Sequence, residues 1–317
     1  MVRGVFSLLT PAGSRARLSI LIFHRVLAQP DPLMAGGVDA ARFDRICAWV
    51  ADWFEVLPMG EAVERLKRGD LPARAMVISF DDGYADNHDI AMPILQRHGL
   101  VATFYVATGF LDGGRMWNDT VIESVRACSA PELELAHLKL DGLKRLPLAD
   151  DHQRRDAIRH LLGALKYRPG DERLQLVQAI AEAAASNLPH ALMMRSDQVI
   201  ALRRAGMTIG AHTVSHPILL KLSTEAARRE IDQSRQFLEG LLGEPIRHFA
   251  YPNGVPGRDQ SDATAAIVRG LGFDSAVTTG WGAARSGGDC FQLPRFTPWD
   301  RARWKFGARL ARNLLTT

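Results

Sequence analysis

The chain contains 317 residues, of which 47% are hydrophobic and 23% are charged, a composition typical of a globular protein with a substantial core. Its formal net charge of +4 is too small to indicate a nucleic-acid partner. No apolar run reaches the roughly 18–20 residues that span a bilayer, and the first residues show no signal-peptide pattern. We therefore expect a cytoplasmic location, with attachment to a membrane surface as the alternative.

Three cysteines are present, Cys47, Cys128 and Cys290, and they lie far apart with no CxxC pair. An odd, widely spaced set argues against a disulfide framework and favours a reducing compartment. It also excludes a thiolate zinc site of the usual spacing.

The first third of the chain predicts alternating strands and helices. Residues 18–23 (LSILIF) form a short apolar run that indicates a buried strand. Strand, helix and strand then follow with short connections, which indicates a parallel sheet. The patterns predict helices at 40–54, 60–68 and 87–98 and strands at 75–80 and 101–107.

Residues 113–195 differ, because they are mostly polar and helical and show no clear strand. Beyond them the alternation resumes, with Ser196 as an expected helix cap and Gly243 as an expected helix end. We predict one α/β domain over residues 1–317, with a helical insertion at 113–195 within it. The later elements are helices at 150–162, 171–185, 196–205, 224–242 and 262–270 and strands at 207–211, 249–254 and 275–279.

Polar residues repeatedly follow the predicted strands. His24 ends the first strand, Asp81 and Asp82 end the strand at 75–80, and His212 ends the strand at 207–211, with His216 four residues later. In a closed or nearly closed parallel barrel the carboxyl ends of the strands share one face, where active sites form. We therefore expect these side chains to converge.

Asp82, His212 and His216 form a suitable ligand set for one divalent metal ion, because two imidazoles and one carboxylate leave a position open for water. The intervening β-branched residues and Pro217 disfavour a helix, so we expect a turn there. The neighbouring Asp81 points in another direction and is free to act on the water. Each motif alone also has a structural interpretation, as a turn or as surface histidines, but their joint placement favours a site.

At ISFDDGY (Ile78–Tyr84) and HTVSHP (His212–Pro217) the chain resembles the polysaccharide deacetylase family, also called the NodB-homology family or carbohydrate esterase family 4. The resemblance covers roughly residues 18–113 and 194–300. It implies a distorted (β/α) barrel, a catalytic domain that removes acetyl groups, Asp81 as the general base, and Asp82, His212 and His216 as metal ligands. Zinc is the default ion, although cobalt, nickel, manganese or iron also suit this ligand set.

One departure concerns the arginine that pairs with the base in many members of the family. The equivalent stretch here, FAYPNG (Phe249–Gly254), has Ala250 at that position and resembles the FxYPxG branch of exopolysaccharide-linked deacetylases. Arg295 is our candidate replacement, with a purely structural arginine as the alternative.

A second departure concerns the general acid, which the family carries on a strand near its C-terminus. Here ILIFH (Ile20–His24) resembles that motif moved to the front of the chain, as in the circularly permuted poly-N-acetylglucosamine deacetylases. The resemblance therefore implies that His24 protonates the leaving amine.

The predicted function is hydrolysis of N-acetyl groups on an amino-sugar glycan or exopolysaccharide intermediate. Asn253, Tyr251 and Trp117 are the predicted substrate contacts, with burial in the core as the alternative for the aromatic rings. Rival functions are a deformylase or imidase, an O-acetyl esterase, and an inactive glycan-binding relative. The basic, amphipathic segment Arg301–Leu315 either lies on an anionic membrane or packs on the barrel.

Overall fold

The computed structural model describes residues 2–140, 142–185 and 187–316. The chain forms two compact units. The first comprises Met1–Gln29, Val38–Asp112 and Met194–Thr317, and the second comprises Pro30–Gly37 and Gly113–Met193. The second unit thus contains nearly all of the predicted insertion together with a short segment from an early loop. One catalytic domain over residues 1–317 stays a prediction.

Elements are numbered along the chain, and β5, β6 and α5–α7 belong to the second unit. The strands are β1 (Arg17–Phe23), β2 (Glu55–Val56), β3 (Ala75–Phe80), β4 (Thr103–Val106), β5 (Glu132–Glu134), β6 (Arg145–Pro147), β7 (Thr208–Ala211), β8 (His248–Ala250), β9 (Ser275–Trp281), β10 (Ala284–Arg285) and β11 (Leu293–Arg295). The helices are α1 (Val2–Leu9), α2 (Ala40–Trp53), α3 (Met59–Arg68), α4 (Met92–Arg97), α5 (Trp117–Ala127), α6 (Asp151–Leu165), α7 (Gly170–Ala183), α8 (Ser196–Arg204), α9 (Thr224–Leu242), α10 (Asp262–Gly270) and α11 (Arg303–Leu315).

The first unit is a nearly closed barrel. Its parallel strands follow the order β1, β3, β4, β7, β8, β9 and β11, while β2 pairs with β3 and β10 pairs antiparallel with β1. A parallel bridge between Leu21 and Phe296 joins the first strand to the end of the last. The predicted distorted (β/α) barrel is therefore confirmed, and the circular permutation stays a prediction.

Burial on both faces explains why the barrel strands are continuous apolar runs. All six residues of β3 are buried, and so are six of the seven residues of β1. Strands covered by helices on one side and by the barrel interior on the other have no polar face. Polar groups consequently appear where the strands end, which is where the site residues lie.

Helix ends follow the sequence signals in one case and not in another. Ser223 caps α9 by accepting a hydrogen bond from the Ala226 backbone, and Gly243 ends it in the left-handed conformation. Ser196, the predicted cap of α8, is instead the first residue inside that helix. Its hydroxyl donates to Asp112, so the side chain that was expected to cap the helix makes a tertiary hydrogen bond instead.

The second unit has its own hydrophobic core, built by α5, α6 and α7. The prediction that it lacks strands is wrong, because β5 and β6 pair antiparallel. Each has only three residues with one buried side chain, too few to produce a recognisable alternation.

The C-terminal helix α11 packs against the barrel through Phe306, Leu310 and Leu314. No helix in the described ranges is both long and apolar enough to cross a membrane.

Candidate metal and catalytic site

The three predicted metal ligands converge at the carboxyl ends of β3 and β7. The Nε2 atoms of His212 and His216 each lie 3.4 Å from Oδ1 of Asp82. One ligand atom from each residue falls within 4.8 Å of the others, the only such group of three among the described residues. This spacing lets the three side chains meet one ion, and three protein ligands would leave a position for water or substrate.

The three side chains are better suited to bind a divalent cation than to stabilise one another without an ion. Oδ1 of Asp82 is buried and accepts no hydrogen bond from any described residue, which is costly without a cationic partner. Burial opposes ionisation of Asp82, but the imidazoles of His212, His24 and His216 hold the pKa of its carboxyl below its usual range. A buried, ionised and unsatisfied carboxylate beside two imidazoles is a ligand set for zinc or a similar ion.

The pKa values of the two imidazoles shift in opposite directions. Burial lowers the pKa of His216 to about 4, so this ring is neutral near pH 7 and has a free lone pair. Burial also acts on His212, but the close contact of its ring with Asp82 and the charges of Asp81 and Asp82 outweigh it and raise the pKa of that ring. Nδ1 of His212 lies 2.7 Å from the Ala250 carbonyl oxygen, to which it donates, and this contact turns Nε2 towards Asp82.

The segment from His212 to His216 is a turn rather than a helix, as predicted. Thr213 and His216 both have positive φ angles, 65° and 54°. These angles bring the rings of His212 and His216 to the same side of the turn, with their centres 4.9 Å apart. The side chain of Glu230 on α9 accepts hydrogen bonds from the backbone N–H groups of Val214 and Ser215 and from the Ser215 hydroxyl. Three bonds to one carboxylate offset the cost of the left-handed residues and fix the turn.

The turn after β3 separates the two aspartates. Asp82 has a φ of 78° and Gly83 a φ of 91°. A Cβ at Gly83 would lie 3.1 Å from Cγ1 of Val106, so only glycine fits without displacing the neighbouring strand. The left-handed bend directs Asp82 to the histidines and leaves Asp81 facing the barrel interior.

Asp81 forms a bidentate ion pair with Arg295. Nη1 and Nη2 each lie 2.7 Å from a carboxylate oxygen, and both side chains are buried. Arg295 is itself anchored, because Nε donates to the Thr278 carbonyl. Burial alone would raise the pKa of Asp81, but the charge of Arg295 lowers it below its usual range. Arg295, the last residue of β11, therefore pairs with Asp81, as the sequence suggested for this candidate arginine.

His24 follows β1 at the same face and is exposed. A positive charge on its ring would help to lower the pKa values of Asp81 and Asp82. The Asn87 amide donates to the His24 carbonyl, and Asp86 accepts from the Val26 backbone and from Arg25. This network holds the backbone at the carbonyl of His24 and directly after it.

A family model described as polysaccharide deacetylase matches residues 68–133 and 175–276, more than half of the chain. The chain belongs to the polysaccharide deacetylase family. A relative in Bacillus subtilis (strain 168), the protein YxkH, is 26% identical over 132 residues, which cover 40% of this chain and 46% of that protein. The match therefore spans less than half of the relative's length.

Solved structures of deacetylases share the fold of this deacetylase family member. Streptococcus pyogenes deacetylase PplD, in complex with acetate, superimposes with a TM-score of 0.62 at 19% identity, covering 94% of this chain and 98% of that one. IcaB from Ammonifex degensii superimposes with a TM-score of 0.60 at 17% identity, covering 97% and 99%. These likenesses support the barrel architecture.

The three predicted substrate contacts have different environments in this family member. Asn253 has a φ of 58°, and no backbone carbonyl of the described chain accepts from its N–H. Tyr251 is buried and its hydroxyl donates to Phe291, so this ring has no face open to a sugar. Trp117 begins α5 in the second unit, where the guanidinium of Arg173 lies 5.0 Å from its ring centre, and its role in substrate binding stays a prediction.

Glu230, Asp86 and Asn87 were not identified from the sequence. Glu230 lies in the middle of an amphipathic helix, 15 and 16 residues from the groups that it binds. Nothing in a helical pattern distinguishes such a glutamate from a solvated one. Asp86 and Asn87 follow DDGY within three residues of the motif, and their proximity to it was the only available signal.

Proposed function

We propose that this member of the polysaccharide deacetylase family hydrolyses N-acetyl groups on an amino-sugar glycan, with Asp82, His212 and His216 holding a divalent cation. The observation that carries the proposal is the buried, unsatisfied Oδ1 of Asp82 facing two imidazole nitrogens, next to a carboxylate clamped by an arginine. A cation held there would supply a Lewis acid for the acetyl carbonyl and lower the pKa of a water molecule. Zinc is the expected ion.

Asp81 acts as the general base. The ion pair with Arg295 keeps the carboxylate ionised at neutral pH and fixes its orientation, so that it accepts a proton from the attacking water. Because both oxygens accept from the guanidinium, the remaining lone pairs are the ones available for that proton. Arg295 is therefore a positioning residue for the base.

His24 supplies the proton that the departing amine needs. Its exposure at the end of β1 allows it to reload from solvent, and the carbonyl contact from Asn87 holds its backbone in place. The backbone N–H of Asn253 is the candidate donor to the oxyanion that forms when water adds to the acetyl carbon. Expulsion of the protonated amine gives acetate and a free amino sugar.

Acetate release from a panel of N-acetylated oligosaccharides, assayed together with zinc content, tests the proposal. The panel includes N-formylated and O-acetylated sugars, so that a deformylase or an esterase is recognised by its preferred substrate. Saturable sugar binding without any release would indicate an inactive glycan-binding relative. Preferred release of acetate from N-acetyl sugars, dependent on added zinc, is the expected result.

A further inference from the structure

The helices α1 and α11 lie side by side on the first unit and form an open groove of about 690 Å³. The wall from α1 includes Val2 and Val5, the wall from α11 includes Trp304 and Ala308, and Trp53 lies at the base. The catalytic proposal uses none of these residues. An exposed apolar surface of this kind indicates an interaction site.

The sequence of α11 contains two apolar stripes where a helix that only supports the barrel needs one. The first stripe, Phe306, Leu310 and Leu314, is buried in the core. The second is formed by Trp304, Ala308, Ala311 and Leu315 at helical spacing, and it remains largely outside the core. Trp304 is 71% exposed. The predicted packing on the barrel therefore accounts for only one face of this helix.

The helix α1 repeats this arrangement. Phe6 anchors it in the core through ring contacts with Trp53 and Phe54. Val2, Val5 and Leu8 lie one turn apart on the exposed side, and Leu8 is 84% exposed. The two helices together expose several aliphatic side chains and one tryptophan.

Basic residues surround this apolar surface, and neither helix contains an aspartate or a glutamate. Arg3 of α1 and Lys305 and Arg312 of α11 are all exposed. Arg303 and Arg309 are also present but pair with Asp52 and Asp300. Cations around an aliphatic surface, with a tryptophan that favours the membrane interface, complement anionic lipid headgroups above acyl chains.

We propose that the face formed by α1 and α11 binds the surface of an anionic lipid bilayer, with Val5, Leu8 and Trp304 entering the interface and Arg3, Lys305 and Arg312 contacting headgroups. The attachment is peripheral, since α1 remains anchored to the barrel by Phe6 and α11 by its buried stripe of Phe306, Leu310 and Leu314. This inference goes beyond the catalytic proposal and does not depend on it.

Sedimentation of the protein of residues 1–317 with lipid vesicles tests the proposal. The protein is expected to bind phosphatidylcholine vesicles that contain about one-third phosphatidylglycerol, and to bind pure phosphatidylcholine vesicles much more weakly. Arg3→Gln/Lys305→Gln/Arg312→Gln is expected to weaken binding on the order of a hundredfold, from roughly fivefold for each basic residue. Added salt should weaken wild-type binding in the same direction.

Removing the apolar groups tests the other half of the proposal. Val5→Ser/Leu8→Ser/Trp304→Ala is expected to weaken binding at least about tenfold, because affinity scales with the buried apolar area. The matched control is Phe237→Ser/Leu174→Ser, which replaces exposed apolar residues elsewhere and should bind as the wild type does. Thermal unfolding of each variant confirms that it is folded.

Three outcomes would overturn the proposal. The wild type could fail to sediment with anionic vesicles, or both triple variants could bind them as tightly as the wild type. Alternatively, light scattering could show a dimer that the apolar variant dissociates, in a protein that does not bind vesicles. The groove would then be an interface between two copies of the chain.

Discussion

The two units of this protein use charge in different ways. The barrel unit buries Asp81 with Arg295, and buries Asp82 among histidines. In the second unit, ion pairs such as Arg159 with Asp156 and Arg145 with Glu134 lie near the surface. Buried charges destabilise a fold unless they are paired, whereas exposed pairs contribute little. Burial of charge alone does not mark the site, because the barrel unit also buries Arg42 and Asp259 and the second unit buries Asp119. What distinguishes the site is a bidentate arginine on one carboxylate and two imidazoles beside the other, while the second unit is stabilised mainly by its apolar core.

The largest expected effect comes from the base. Asp81→Asn should lower acetate release about a thousandfold, within the range for loss of a general base, while zinc content stays at the wild-type value. The control Asp197→Asn removes a fully exposed ion pair in the same unit and should leave the rate unchanged. Because the variant leaves Arg295 without its partner, Asp81→Asn/Arg295→Met provides a second, charge-balanced test.

An active and zinc-replete Asp81→Asn protein would remove this residue from the mechanism. An inactive protein that has also lost its zinc would instead assign Asp81 to the metal site, and the distinction between the two aspartates would be wrong.

The next effect concerns the buried ion pair. Arg295→Met leaves the carboxylate of Asp81 buried without a cation, so the free energy of unfolding should fall by about 3–5 kcal/mol. The pKa of Asp81, now lowered by Arg295, should rise, because burial favours the protonated carboxyl. The base then needs a higher pH to ionise, and the acid limb of the pH profile of kcat/KM should move upward.

The exposed pair of Arg269 with Asp289 provides the control, because Arg269→Met removes an arginine without leaving a buried carboxylate unpaired. The measurements are denaturant unfolding and the pH profile of kcat/KM for the wild type, Arg295→Met and Arg269→Met. An unchanged acid limb in Arg295→Met would mean that the guanidinium does not set the ionisation of the base.

The second unit should respond to changes in its core without any loss of metal binding. Leu161→Ala removes a fully buried side chain of α6 and should cost about 2–5 kcal/mol in the stability of that unit. The control is Leu174→Ala at an exposed position of α7, which should cost far less. Zinc titration should give the same affinity for all three proteins, and a weakened site in Leu161→Ala would contradict the separation of roles.

The smallest expected effect concerns the turn that carries the proposed metal ligands His212 and His216. Glu230→Ala removes the carboxylate that holds Val214 and Ser215, so zinc affinity should fall about 10- to 100-fold, as for other residues that orient ligands. Glu225→Ala on the same helix is the control, because that side chain is exposed. Titration calorimetry with zinc measures the difference, and equal affinities would limit Glu230 to a role in packing.

The sequence predicted the parts of the molecule that depend on local patterns. Continuous apolar runs predicted β1 and β3, Gly243 predicted the end of α9, and polar residues at strand ends predicted the cluster of Asp82, His212 and His216. The pairing of Arg295 with Asp81 was predicted because Ala250 occupies the position at which many family members are expected to carry the arginine that pairs with the base. In each case the signal lay within one element or one motif.

The remaining features depend on contacts between distant segments. The carboxylate of Glu230 becomes a support for the turn only after α9 packs beside β7, and Ser196 leaves its capping position because Asp112 binds its hydroxyl. Tyr251 follows a strand at the active face, yet it turns into the core towards Phe249. Side-chain direction at such positions is decided by packing, which single-sequence patterns do not encode.

The most direct test is a crystal structure of the protein with zinc, with the ion located by its anomalous scattering. The account predicts one zinc ion per chain, coordinated by Oδ1 of Asp82 and by Nε2 of His212 and His216 at about 2.0–2.2 Å, with Asp81 still paired to Arg295. A zinc ion bound elsewhere, or no ion at these three residues at saturating zinc, would contradict it.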